Sequence, residues 1–251
     1  MIDYPGATQT FASSINAAGD VVGMYFDSTN FQHGFLLSGG TFTTIDDPNG
    51  GWTYLTGIND NGKIVGYGTI AFIYDIQSQT FTNIGIENLY THPLGINNLD
   101  TVVGFVVAGG PHNLHEVGFE LFANGQTKRI AVPGEMDTDC WGISTSGIIV
   151  GFGVTRNYSE FSFISNGDQY RVLSLPVIVL GINPQGTAFV GYYSAGGFLY
   201  QNKILTRLRV PDAKETIANG VNSVGQVVGY FNDLAATPHG YMWTPPAEVS
   251  H

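Results

Sequence analysis

One phrase recurs along the chain and fixes most of what it can fold into: Gly-Ile-Asn, two residues, Gly, then Val-Val-Gly and an aromatic residue. It runs as Ser14-Ile15-Asn16 with Gly19, Val22, Gly23 and Tyr25, and again as Gly57-Ile58-Asn59 with Gly62, Val65, Gly66 and Tyr67. Later copies begin at Gly95-Ile96-Asn97, Gly142-Ile143-Ser144, Gly181-Ile182-Asn183 and Gly220-Val221-Asn222, which makes six. The third position advances by 43, 38, 47, 39 and 39 residues. A period near 40–45 residues is that of a four-stranded propeller blade.

Each unit reads as four short strands. In the second, Trp52 to Ile58 is strand A, Lys63 to Thr69 strand B, Ala71 to Asp75 strand C and Gln79 to Ile84 strand D. Asn59-Asp60-Asn61-Gly62 is the A–B turn, where Asn and Gly supply positive φ at low cost. A helical period of 3.6 is not sustained anywhere. The Gly after Val-Val (Gly23, Gly66, Gly104, Gly151, Gly191, Gly229) is expected to let blades approach closely or to relieve a twisted strand. The last unit stops at Pro245-Pro246 without a strand D, while the chain opens with Ile2-Asp3-Tyr4-Pro5, which matches the strand-D ending Ile45-Asp46-Asp47-Pro48. The opening residues are therefore expected to complete the last blade and leave only short, protected edges. The prediction is an all-β, six-bladed β-propeller in one domain over 1–251, with blades at 7–46, 52–86, 90–132, 137–175, 177–211 and 214–246 plus 1–5.

These units resemble the bacterial HAF-type extracellular-repeat family, whose core reads G-I-N-x-x-G-x-V-V-G-Y. Its continuation is present as Gly34-Phe35-Leu36 with Gly40, Phe42, Thr43, Ile45 and Asp46, and as Gly197-Phe198-Leu199-Tyr200. Ser144 in place of Asn, and Asp100 where the turn Gly belongs, depart from it. The resemblance implies a repeat scaffold and secretion in many members. It carries no catalytic motif. No basic start or apolar core marks a signal peptide between Met1 and Thr10, so compartment stays open between secreted, after removal of a leader, and cytoplasmic.

Charge narrows the partners. Nine Lys and Arg against twenty Asp and Glu give a net charge of −11. Nucleic acid needs a cationic surface, so it is excluded as a partner. No run is long and apolar enough for a transmembrane helix, so membrane insertion is not expected. One Cys cannot form an internal disulfide, and Cys140 aligns with small core positions. No dinucleotide, P-loop or nucleophile-elbow pattern appears. The run His112-Asn113-Leu114-His115-Glu116 falls short of a zinc ligand set and reads as an exposed loop.

In an up-and-down meander the B–C and D–A loops emerge on one face, where a rigid scaffold presents functional side chains. The B–C loops vary most, over 26–32, 106–116, 153–159 and 231–238. With strand A aligned on the Gly of Gly-Ile-Asn, position −4 is Thr in five units and reads as structural. Position −3 is Phe11, Tyr54, His92, Asp139, Ile178 and Ile217; position −5 is Gln9, Trp52, Tyr90, Asp137, Pro176 and Glu215. These two positions share a strand face. They make half of the ring mouth polar and aromatic. Gln9, Trp52, Tyr54 and Tyr90 are the candidate ligand-binding residues. His92 and Asp139 are a candidate general acid–base pair, with Asp137 and Glu215 assisting. Asp137 and Asp139 also offer hard oxygen donors for Ca²⁺; otherwise no cofactor is expected. Two readings follow: a module binding a small molecule or neutral glycan, or an enzyme of lyase, cyclase or hydrolase type at the same mouth.

Overall fold

The computed structural model describes residues 1–87, 89–110, 114–173, 176–194 and 196–246. His112 and Asn113 of the run considered as metal ligands lie outside them. The chain forms a six-bladed β-propeller. Blade one is β1 (Gln9–Ile15), β2 (Val21–Phe26), β3 (Gln32–Ser38) and β4 (Thr41–Thr44), and blade two is β5 (Tyr54–Ile58), β6 (Lys63–Tyr67), β7 (Ala71–Asp75) and β8 (Thr80–Asn83). Blade three is β9 (Tyr90–Ile96), β10 (Val102–Ala108), β11 (His115–Leu121) and β12 (Thr127–Ile130). Blade four is β13 (Asp137–Ile143), β14 (Ile148–Val154), β15 (Glu160–Asn166) and β16 (Gln169–Val172). Blade five is β17 (Ile178–Ile182), β18 (Ala188–Tyr193), β19 (Gly196–Gln201) and β20 (Ile204–Leu208), and blade six is β21 (Glu215–Val221), β22 (Val227–Asn232) and β23 (Pro238–Trp243). Each sheet is an antiparallel meander in chain order.

The opening residues supply blade six with its outer edge. Ile2 bridges Gly240, its N–H donating to the Gly240 carbonyl at 2.7 Å, and its side chain is buried. A second correspondence confirms the assignment. In blade one His33 lies 2.7 Å from Asp46 and 3.6 Å from Asp27. In blade six His239 lies 3.1 Å from Asp3 and 3.6 Å from Asp233. Asp3 thus does in blade six what Asp46 does in blade one.

Buried side chains gather between consecutive sheets rather than at one centre. Phe72, Leu55 and Ile64 pack against Val22 and Leu36 between blades one and two, and Phe163, Cys140 and Ile149 pack against Val103 and Ile130 between blades three and four. Burying such apolar faces at each interface is the main favourable contribution to folding.

The repeated residues each have a mechanical role. In every blade the pairing of strands A and B slips by one residue before the Gly of Gly-Ile-Asn (Ser14 in blade one), as at Cys140/Gly142. The Gly of Val-Val-Gly sits at this bulge. A Cβ on Gly104 would fall on the His92 carbonyl of its own blade, so of the two roles the sequence suggested, this Gly serves the twisted, bulged strand and not the approach of blades. The Gly of Gly-Ile-Asn makes the close approach instead: a Cβ on Gly220 would stand 3.0 Å from the Cα of Ser14 in the next blade.

The repeated Asn works through its side chain. Asn97 Oδ1 accepts the N–H groups of Leu99 and Thr101, and its Nδ2 donates to the Ser144 carbonyl one blade on at 3.0 Å. Asn59 donates in the same way to the Asn97 carbonyl, and Asn222 to that of Asn16 across the ring closure. In the third unit Asp100, with φ 58°, takes the left-handed turn position that Gly occupies elsewhere. The repeated Thr is buried, and its hydroxyl accepts an N–H of the D–A loop: Tyr4 to Thr10, Asp47 to Thr53, Ile86 to Thr91, Val132 to Thr138 and Val210 to Thr216. These bonds hold the D–A loops against the ring on the face predicted to carry function.

Candidate functional site

Two concavities meet at the second blade. A channel of about 520 Å³ runs along the axis, lined by the A strands. A groove of about 740 Å³ opens between blades two and three on the B–C and D–A face. Tyr54 and Tyr67, stacked at 4.7 Å and 10°, line both.

The groove gathers four of the predicted residues: Trp52, Tyr54, Tyr90 and His92. Trp52 is 60% and Tyr90 79% exposed, so both rings are free to meet a ligand. His92 is held from within: its ring stacks on Phe105 at 4.6 Å and leans on Tyr67 at 4.5 Å. Burial lowers its pKa below the usual imidazole value. A partnering carboxylate would raise it. Among the described residues that line the groove there is no Asp, Glu, Lys or Arg. Gln9 opens β1 opposite Phe26 and lines neither concavity.

The expected pairing of His92 with Asp139 is corrected by this arrangement. Two side chains at position −3 lean back onto the preceding blade: Phe11 meets Tyr230 at 4.9 Å, and His92 meets Tyr67. Asp139, one blade on, likewise meets blade three, where its partner is Glu116 of β11. Asp139 is buried, and its Oδ1 has no hydrogen-bond partner. Burial first, then the nearby Glu116 charge, pushes its pKa up to about 8. Burial and the charge of Asp137 also raise Glu116. Asp137 accepts the Glu116 N–H at 2.9 Å, which fixes β11 against β13. Without a bound cation Asp139 is therefore a neutral acid near pH 7 beside a second carboxyl. Among the described residues no three His, Cys, Asp or Glu side chains converge as metal ligands would. Cys140 is fully buried, and burial raises its thiol pKa well above the ordinary value, which leaves it inert.

Glu215 stands at the channel mouth, its Oε2 accepting from Asn232 Nδ2 at 3.0 Å. Alternation continues from positions −5 and −3 to position −1, the bulged residue, which also faces the channel. The bulged residues Ser13, Thr56, Leu94, Trp141, Leu180 and Asn219 all line the channel. Above them come the B-strand residues after Val-Val-Gly, among them Met24, Phe152, Tyr192 and Tyr230. Their signal was the aromatic that ends the repeated phrase. In the first unit the aligned residue is Met24, while Tyr25 packs instead against Tyr4 at 3.7 Å.

No protein-family model matches the chain, and no curated protein matches it in sequence. Solved structures do. The β-propeller domain of the Trilobed protease from Pyrococcus furiosus superposes with a TM-score of 0.57 at 12% identity, over 96% of this chain and 82% of that one. A gluconolactonase from Xanthomonas campestris gives 0.58 at 10% identity, over 94% and 88%. The Aleuria aurantia lectin in complex with Fucα1-6GlcNAc gives 0.53 at 10% identity, over 96% and 93%. The chain shares the propeller architecture of proteins that differ in activity, and at these identities the likeness is one of fold.

Proposed function

We propose that this protein is a binding propeller whose B–C and D–A face takes a neutral glycan, or a small uncharged molecule of similar shape, in the groove between blades two and three. One observation carries the reading: two exposed aromatic rings, Trp52 and Tyr90, border a groove whose described lining has no formally charged side chain and whose one imidazole is kept neutral by burial. Aromatic faces stack on the apolar faces of sugars, and a wall without charge discriminates against ionic ligands. A propeller of the same architecture holds Fucα1-6GlcNAc in the Aleuria aurantia lectin, which supports the class of ligand. Isothermal titration with a panel of neutral oligosaccharides tests it. Trp52→Ala and Tyr90→Ala should each weaken binding by about 1 kcal/mol or more, roughly fivefold. Unchanged affinity in both variants removes the groove from consideration.

A second reading rests on Asp139 and Glu116. A carboxyl that keeps its proton to about pH 8 beside another carboxyl is the environment of a general acid. In a hydrolase, lyase or cyclase acting on a neutral substrate, Asp139 would donate the proton and Glu116 hold its orientation. Asp139→Asn would then lower turnover by roughly 10²–10⁴. Full turnover in that variant excludes the reading.

A further inference from the structure

The channel is a separate concavity with its own chemistry. Aromatic rings reach it from most of the ring: Phe11 and Tyr230 as an edge-on pair at 4.9 Å, Trp141 and Phe152 as a stacked pair at 5.6 Å, and Tyr192 between them in sequence order. Among the described residues Glu215 is the one carboxylate lining its B–C and D–A end. It is fixed by Asn232, and its charge is felt at both Tyr230 and Tyr192: burial and Glu215 push the Tyr230 phenol above its usual range, and burial, Glu160 and Glu215 do the same at Tyr192. Asp60, at the A–B turn end, is already engaged by the Ala17 N–H and by Asn98. Among the described residues no Lys, Arg or His lines the channel. The surrounding protein carries a net charge of −11.

We propose that the channel mouth is a binding site for a small organic cation, a quaternary or tertiary ammonium, held against the aromatic walls and paired with Glu215. A ring face attracts a positive charge through its quadrupole, and the attraction grows when the site is shielded from water. A poorly hydrated alkylammonium loses little on entering such a channel, while its methyl groups gain apolar contact. A metal ion finds one free carboxylate and too few oxygen donors. An anion meets Glu215 and no cation. A channel of about 520 Å³ is within the size range of small-molecule sites.

The channel and the groove share Tyr54 and Tyr67, but Glu215 lines the channel alone and Trp52 the groove alone. Its test uses the whole chain and two probes of equal shape, choline and its uncharged tert-butyl analogue, in isothermal titration. Choline, or tetramethylammonium, should bind in a one-to-one ratio, and the uncharged analogue at least about tenfold more weakly. Glu215→Gln keeps an oxygen to accept from Asn232, so the fold is spared, and it should weaken choline about fivefold or more. Trp52→Ala should leave choline binding unchanged, which separates this site from the groove. Equal affinity for the charged and uncharged probes, or no binding by either ammonium, overturns the proposal. So does an unaltered affinity in Glu215→Gln.

Discussion

Asp139→Asn should change the slope of stability against pH. Asp139 has its ordinary value near 3.8 in the unfolded chain and about 8 in the folded one. The folded state therefore holds a proton that the unfolded state releases. Stability is greatest below the unfolded value and declines as pH rises toward 8, because ionisation is favoured only after unfolding. At about 1.4 kcal/mol for each pH unit, the loss at pH 7 reaches up to about 4 kcal/mol. Asn carries no titratable proton, has nearly the same shape, and its amide N–H can replace the acid O–H toward Glu116. The variant should match wild type near pH 3, below the unfolded value, and exceed it increasingly up to pH 8, by several kcal/mol, on the linkage relation above. Urea denaturation at a series of pH values, with equal m-values, gives the difference directly. Groups remote from Asp139 titrate alike in both proteins and cancel from it, and the difference belongs to Asp139 together with its neighbour Glu116. Parallel profiles for variant and wild type across this range would refute the buried neutral acid.

Three further outcomes follow from the geometry. Ile2→Ala should cost about 2–4 kcal/mol through the cavity left at the ring closure, read as a lower denaturation midpoint, although the residue is second in the chain. Asn97→Ala should cost about 3 kcal/mol, because buried N–H and carbonyl groups in two blades lose their partner, whereas Asn97→Ser should cost less, since Ser144 already performs the turn half of the role through its Oγ. His92→Phe should make the acid limb shallower below about pH 6.5, because a buried neutral imidazole gives up stability when the unfolded chain can take the proton, and thermal melts across that range show it.

The blades were legible because each repeats its turn and strand residues, and ring closure was legible because Ile2-Asp3 copies Ile45-Asp46. The candidate site was legible only in part. Counting by twos along strand A finds Trp52, Tyr54, Tyr90 and His92, which do share a groove. The same counting carried one step further, to position −1, reaches Trp141 and Asn219, which line the channel and were not read as site residues because the comparison of units stopped at −3. The His92–Asp139 pair failed for a different reason. Alignment tells which residues share a height in neighbouring blades, but not that His92 leans back onto Tyr67 of the preceding blade. Glu116, the true neighbour of Asp139, comes from a third strand after a loop of variable length, where the repeat gives no register. The Asn of the turn was read for its backbone freedom, and its bond across the blade boundary needed two units to be placed side by side.

Three tryptophans occupy three environments: Trp52 at the groove, Trp141 in the channel wall and Trp243 packed between the last two blades. Their indole N–H signals in a two-dimensional ¹H–¹⁵N spectrum, recorded during titration with neutral oligosaccharides and then with choline, report on both concavities at once. The account predicts that a bound oligosaccharide moves the Trp52 signal, that choline moves the Trp141 signal, and that Trp243 stays still in both. An oligosaccharide that binds while the Trp52 signal does not move would contradict it.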